Sequence, residues 1–240
     1  MPLDQRLIES LPAGAESGVT LAAIREVATN ETVFVLDDDP TGTQTVRDAL
    51  ILTDWDDATL HDVIEQERLV FLLTNSRSLP APDAVRIARR TGAAIHRLRR
   101  TVDRSIVLIS RSDSTLRGHF PIEVDALIES AVMPDARIIL APFFGPGDRI
   151  TIDDTHYIKR DGAYVPVGDT EYARDAVFGY QSSNLRDWIK ETAGSDRSVA
   201  SVSVRALRVD GPTAVVRALL DLPPRGICIC LLYTSDAADE

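Results

Sequence analysis

The sequence predicts an α/β fold: a doubly wound, mainly parallel sheet with helices on both faces and a small irregular β extension. Three observations carry this. Short continuous apolar runs alternate with amphipathic stretches from Val33 to Ala141. Runs such as V-F-V-L and L-V-F-L-L have the composition of strands buried on both faces, as a parallel sheet requires. Four of the runs end in polar, Gly- or Ser-containing clusters, and open α/β sheets place their ligands beyond the carboxyl ends of the strands.

Taken in order, Leu7 to Asn30 holds Leu21, Ile24 and Val27, which suits a helix feeding the first strand. Val33 to Leu36 is that strand. Asp37, Asp38 and Asp39 follow at once, and Pro40 and Gly42 then stop the strand and turn the chain. Ala49 to Thr53 is a second strand, and Asp56 to Glu67 a helix with acids in its first turn, where the helix dipole favours them. Leu69 to Thr74 is a third strand ending in Asn75-Ser76-Arg77-Ser78, before a basic-faced helix from Pro82 to Arg100. Ser105 to Ser110 is a fourth strand. It is followed by R-S-D-S-T-L-R-G-H and by a helix from Pro121 to Met133 with proline in its first turn. Arg137 to Ala141 is a fifth strand and runs into P-F-F-G-P-G-D-R. If all five lie in one sheet, their terminal clusters share an edge and build one cleft.

Beyond Thr151 the pattern shortens. Asp161-Gly162 marks a hairpin turn in the β extension from Thr151 to Pro166. Helices at Glu171 to Phe178, Asn184 to Thr192 and Thr213 to Leu220, and a strand at Val199 to Val204, complete the reading.

Composition narrows the function. A chain of 240 residues can bury a substantial core, and residues 1–229 read as one domain. A net charge of −11, from 26 basic and 37 acidic residues, argues against a nucleic-acid partner. It does not argue against a small anion, because local arginines can overrule the global sign. No apolar run approaches the roughly 20 residues of a membrane span, and the N-terminus lacks a signal-peptide pattern, so the reading is a cytoplasmic protein with no membrane partner. The sequence leaves the oligomeric state open, a homo-oligomer included. Cys228 and Cys230 would share one strand face, which is poor disulfide geometry. Residues 230–240, C-L-L-Y-T-S-D-A-A-D-E, read as the translation of a sequencing adapter, a non-native tail on a fragment of a longer gene.

Four separated motifs carry the chemistry: Asp38-Asp39-Pro40-Thr41-Gly42, Ser76-Arg77, Asp113-Ser114-Thr115-Leu116-Arg117-Gly118 and Gly147-Asp148-Arg149. In this order they resemble the N-terminal, substrate-binding domain of the four-carbon acid sugar kinases, from about Val33 to Leu220. The resemblance implies an ATP-dependent kinase of tetronates or related sugar acids. It also implies that ATP, with Mg2+, is bound by a Gly-rich C-terminal domain that this chain lacks. The substrate site it implies comprises Asp39, Thr41, Gly42, Ser76, Arg77, Asp113, Ser114, Arg117, Gly118 and Arg149, with Asp38 as the catalytic base. The family pattern has an apolar residue where Pro40 stands, and Asp37 adds a third acid, so the choice among the three acids stays open.

The residue types make physical sense in these roles. Arg77 and Arg117 can grip a carboxylate with paired N–H groups. Ser76, Ser114 and Thr115 both donate and accept. Gly42 and Gly118 let the backbone approach a small ligand. A carboxylate can take the hydroxyl proton during phosphoryl transfer.

Plainer readings stand beside these. Arg117 could be a surface ion pair, Ser76 a helix cap, and Asp169 or Thr170 a cap of the next segment. His119 and His156 read as structural, and Asp153-Asp154-x-His156 is metal-like only in composition. A rival class is the haloacid dehalogenase-type phosphatase, with Asp37 as nucleophile, Asp39 as acid, Thr74-Asn75 as second motif, Lys159 as the required lysine and Asp169 with Asp175 as the magnesium motif. That reading leaves R-S-D-S-T-L-R-G-H and G-P-G-D-R unexplained. A third is a sugar-acid-binding module without catalysis, since no glycine-rich phosphate loop occurs.

Overall fold

The computed structural model describes residues 3, 10–13, 20–194 and 196–230. The proposed adapter tail beyond Cys230 and most of the predicted helix before Thr20 lie outside the described residues. The chain divides into two compact units, residues 19–113 with 118–134, and residues 1–18, 114–117 and 135–240. They are called here the sheet unit and the meander unit.

The sheet unit opens with helix α1 (Leu21–Val27), capped by the Thr20 hydroxyl on the Ala23 N–H at 3.1 Å. Strand β1 (Glu31–Asp37) lies between β3 (Leu69–Leu73) and β4 (Ser105–Arg111), and β2 (Leu50–Leu52) adds an edge. All the pairings are parallel. Phe34 and Leu36 of β1, with Val70 and Leu72 of β3, point into one core. Helices α2 (Asp57–Gln66), α3 (Ala81–Arg99) and α4 (Ile122–Ser130) cover it with Leu60, Ile64, Ile95, Leu98 and Leu127. Asp56 starts α2 by accepting the Thr59 N–H at 2.8 Å. Strand β4, at the open edge, leaves Val107 and Ile109 half exposed.

Gly92 shows how tightly α3 and α4 approach. A Cβ there would lie 2.7 Å from the Leu127 carbonyl oxygen and 2.9 Å from the Ala131 nitrogen. Mid-helix glycine forfeits about 1 kcal/mol of helix propensity against alanine. Backbone overlap of that kind costs more, so packing decides the residue.

In the meander unit, strands β6 (Arg149–Ile152), β7 (Thr155–Arg160) and β8 (Ala163–Pro166) form an antiparallel sheet. The predicted hairpin turn is present: Asp161 has φ 49° and Gly162 φ 82°, the two left-handed residues of a type I′ turn. Helix α5 (Leu185–Ala193) starts at Asn184, which accepts the N–H groups of Arg186 and Asp187. Helices α6 (Val204–Asp210) and α7 (Pro212–Asp221) pack on a second parallel sheet, in which β10 (Ile227–Cys230) lies between β5 (Ile138–Leu140) and β9 (Val199–Val202).

Three predicted elements change here. The fifth strand, β5, does not join the four-stranded sheet. It pairs with β10, an all-buried I-C-I-C strand with which it aligns Ile138 to Ile227. The segment from Glu171 to Phe178 is not a helix but a 3-10 turn, Glu171–Arg174. It ends because the Asp175 side chain accepts the N–H groups of Val177 and Phe178, at 2.9 and 3.0 Å, and competes with the helix ladder. The strand expected to reach Val204 stops at Val202, where the Ser203 hydroxyl accepts the Ala206 N–H and starts α6. Both cysteines are free and buried.

Candidate functional site

In the sheet unit the strand ends continue as a laced set of loops. The Asp37 carbonyl accepts from the Thr74 N–H at 2.9 Å, the Asp38 carbonyl from the Arg77 N–H at 3.2 Å, and the Asp38 N–H donates to the Arg111 carbonyl at 3.4 Å. The sheet ladder therefore runs one residue past the strands and fixes the loops leaving β1, β3 and β4 against one another. Asn75 makes the turn after β3 in the left-handed region, at φ 49°.

This framework sorts the three acids into different environments. Asp37 is 1% exposed and takes an ion pair from Arg111 at 3.2 Å. Burial pushes its carboxyl above the ordinary 3.8, against the Arg111 charge. Gly42 seals it: a Cβ on Gly42 would overlap both Asp37 carboxylate oxygens and the Arg111 guanidinium. Asp38 is 3% exposed and receives the Arg77 fork, Nη2 to Oδ1 at 2.6 Å and Nε to Oδ2 at 3.1 Å. The Ser112 hydroxyl donates to Oδ2 at 2.7 Å. Asp39 is the open one, with 28% of its side chain exposed. It accepts the Thr41 N–H at 2.8 Å and the Thr41 hydroxyl, and these bonds hold its pKa below the ordinary value. Arg77 Nη1 lies 3.6 Å from its Oδ2.

Arg77 is the residue expected to grip a substrate carboxylate with its fork. The fork is engaged by Asp38. Burial opposes the charge on Arg77, but the Asp38 bond and the charges of Asp38, Asp113 and Asp39 hold its pKa above the ordinary value. Ser76 does not cap α3, whose N-cap is Pro80, and it is fully buried. Its hydroxyl accepts from Thr74 at 3.1 Å. Gly118, at φ 154°, passes where a Cβ would overlap the Ser112 hydroxyl, so glycine is required by conformation and by space. Of the site residues expected from the sequence in this unit, Asp39, Thr41, Gly42, Arg77, Asp113 and Gly118 reach solvent.

The Asp113–Gly118 motif is divided between the units: Asp113 and Gly118 belong to the sheet unit, Ser114 to Arg117 to the meander unit. There the segment is pinned by two residues the sequence did not single out for this task. His156, fully buried, donates from Nε2 to the Ser114 carbonyl at 2.7 Å. Its Nδ1 lies 2.8 Å from the Thr151 hydroxyl, which donates to the Pro142 carbonyl at 3.1 Å. The Tyr180 hydroxyl donates to the Thr115 carbonyl at 2.7 Å. Arg117 then packs over the Tyr172 ring at 5.0 Å, and Arg160 and Arg149 share that ring at 5.4 and 5.9 Å. Arg117 is weakly paired with Asp175 at 3.5 Å, and Arg160 is bonded to Glu171. Arg149 donates to the Ser114 hydroxyl at 3.0 Å, its buried Nε has no hydrogen-bond partner, and no carboxylate pairs with it among the described residues.

The metal-like triplet is not assembled. Asp154 is bonded to Arg186 at 2.6 Å and to Ser201, while His156 is held as above. Among the described residues no group of three or more His, Cys, Asp or Glu side chains could hold a metal. Thr170, expected as a cap, instead donates its hydroxyl to the Val167 carbonyl at 2.6 Å. Nothing in the Asp39–Gly42 turn cradles a triphosphate either. The Gly42 N–H goes to the Asp39 carbonyl at 3.0 Å, and Asp37 and Arg111 fill the space above its Cα. The phosphatase reading loses its nucleophile, since Asp37 is sealed from any phosphorus atom.

Comparison with known proteins follows the same line. Residues 33–239 match the family model described as a sugar-binding N-terminal domain. A Bordetella bronchiseptica structure of the DUF1537 family, with bound citrate and as a domain-swapped dimer, superposes with a TM-score of 0.60 at 21% identity. It is covered over 47% of its length, by 83% of this chain. A Haemophilus influenzae protein of the same family superposes with a TM-score of 0.63 at 13% identity, 83% of this chain covering 48% of it. At these identities the likeness is one of fold, and the chain spans about half the length of both structures. No curated protein is significantly similar in sequence. No described helix is long and apolar enough to cross a membrane.

Proposed function

Because the chain belongs to the sugar-binding N-terminal domain family, that of the four-carbon acid sugar kinases, we propose that it is the substrate-binding part of an ATP-dependent kinase of a four-carbon sugar acid. ATP and Mg2+ are assigned to the half of the longer relatives that has no counterpart here, since the described residues offer no phosphate cradle.

The observation that carries this reading is the acid cluster at the strand ends of the sheet unit, where the open Asp39 is held by Thr41. In the sheet unit Asp37, Asp38, Asp39 and Asp113 outnumber Arg77 and Arg111, which suits neutral hydroxyls and disfavours a second anion. In the meander unit Arg117, Arg149 and Arg160 outnumber Asp175 and Glu171, and Arg149 has no carboxylate partner among the described residues. Taken by itself, that arginine group suits a small acid. Citrate in the Bordetella bronchiseptica relative is likewise a small acid, and the dimeric state of that relative supports self-association here.

The roles follow from exposure. Asp39 is ionised and open, and it takes the proton of the reacting hydroxyl. Thr41 and the outer Nη1 of Arg77 fix the direction of that carboxylate. Asp38, expected as the base, is instead the positioning residue that immobilises Arg77, because both of its oxygens already face donors.

Asp39→Asn keeps the size and the Thr41 bonds but removes the acceptor. In a protein of the relatives' full length it is expected to lower sugar-acid-dependent phosphoryl transfer by about 100-fold or more, with sugar-acid affinity within a few-fold of the parent. Transfer at the parental rate would return the role to Asp38 or remove it from this loop.

A further inference from the structure

His119 takes no part in the chemistry described so far, yet it is buried, 6% exposed, with Nε2 aimed at two backbone carbonyls. That nitrogen lies 3.1 Å from the Ser76 oxygen and 2.9 Å from the Leu79 oxygen. A carbonyl only accepts, so Nε2 carries a hydrogen and shares it between the two. Ser76 and Leu79 are the ends of the turn after β3, which closes on itself through the Leu79 N–H and the Ser76 carbonyl at 3.0 Å. His119 straps the same two ends from a segment 40 residues beyond Leu79. Ser76 is fully buried, so water cannot stand in for the ring.

The residue inside that strap is Arg77. Its N–H donates to the Asp38 carbonyl at 3.2 Å, its fork holds the Asp38 carboxylate, and its Nη1 lies 3.6 Å from Asp39 Oδ2. His119 is fixed in turn through its own backbone, since its carbonyl accepts the Glu123 N–H at 3.1 Å in the first turn of α4. Gly118, just before it, runs beside the same carboxylate, where a Cβ would lie 3.4 Å from Asp38 Oδ2. One stretch of backbone thus reaches both members of the Asp38–Arg77 pair.

We propose that His119 is a positioning residue for the sugar site: by strapping the turn at Ser76 and Leu79, it sets where Arg77 stands against Asp38 and Asp39. The proposal rests on the reading of the sheet unit given above. A strap and a plain core role make different demands on this side chain. A core role is met by an apolar ring of similar size. A strap needs an N–H at the place of Nε2, which a glutamine amide supplies and phenylalanine does not. Without it the two carbonyls lose their shared donor, the turn opens, and Arg77 loses the backbone placement on which its fork depends.

The test begins with the unaltered full chain, where the nitrogen NMR shifts of the His119 ring show which nitrogen bears hydrogen. Hydrogen on Nε2 is expected, and hydrogen on Nδ1 alone overturns the proposal. The Arg77 Nε–H signal then reports on the fork, and calorimetry gives tetronate affinity at the same pH. His119→Gln keeps a donor, while His119→Phe and the more pliant His119→Met remove it. In the parent and in His119→Gln, the Nε–H is expected to exchange slowly with solvent and affinity to agree within a few-fold. In His119→Phe and His119→Met, exchange should quicken and affinity fall, each by about tenfold. A residue that only stabilised the core would lower the melting temperature and leave the Nε–H signal in place. Parental exchange or parental affinity in the Phe and Met variants overturns the proposal, as does a Gln variant that matches them. If no tetronate binds even the parent, the sugar-acid reading fails, and the Nε–H exchange still decides the role of His119.

Discussion

Replacing Arg77 by Met is expected to lower stability by about 3–5 kcal/mol, the penalty of leaving one member of a buried ion pair alone. Methionine keeps the apolar stem and deletes the guanidinium. Asp38, 3% exposed, is then left with the Ser112 hydroxyl as its only side-chain donor among the contacts described above. A second substitution, Asp38→Asn, should recover most of the loss at neutral pH. Arg77→Lys restores charge without the two-pronged geometry and should recover only part. Urea unfolding at neutral pH reads the three variants against the parent. A loss below about 1 kcal/mol, typical of exposed pairs, would show that the pair is not structural.

The second large effect is expected at Gly42. Its φ lies outside the left-handed region, so the requirement is one of space. An alanine methyl would occupy the position of the Asp37 carboxylate and of the Arg111 guanidinium end. Arg111 is long and can swing aside. Asp37 is short, buried and placed by β1, so it cannot. Relief must come from the 3-10 turn Pro40–Thr45, at about 1–3 kcal/mol, and that movement takes Thr41 away from Asp39. Gly42→Ala should therefore lower the melting temperature and weaken sugar-acid binding about tenfold or more. Parental values in both measurements would mean that the turn adapts freely, and that the acid cluster is not a rigid site.

Much of the fold was legible in the sequence because its signals were local. The V-F-V-L and L-V-F-L-L runs became neighbouring parallel strands, the acids after Leu36 fell at the strand end, and Asp161-Gly162 formed its hairpin. What failed depended on distant partners. The assignment of β5 to its sheet was decided by β10, some 90 residues on in sequence. The roles of the acids could not be ranked, since Asp37, Asp38 and Asp39 differ only in what Arg111, Arg77 and Thr41 do to them. His156 was legible as structural, but nothing nearby in sequence indicated that it holds the Ser114 backbone.

The most direct test is a calorimetric comparison of two ligands that differ only in charge, a four-carbon sugar acid and the matching uncharged tetritol, titrated into this chain at neutral pH. An acid group facing Arg149, which has no carboxylate partner among the described residues, predicts saturable one-to-one binding of the sugar acid, with the tetritol weaker by about tenfold or more. Equal affinities for the two ligands, or no heat from either, would contradict it.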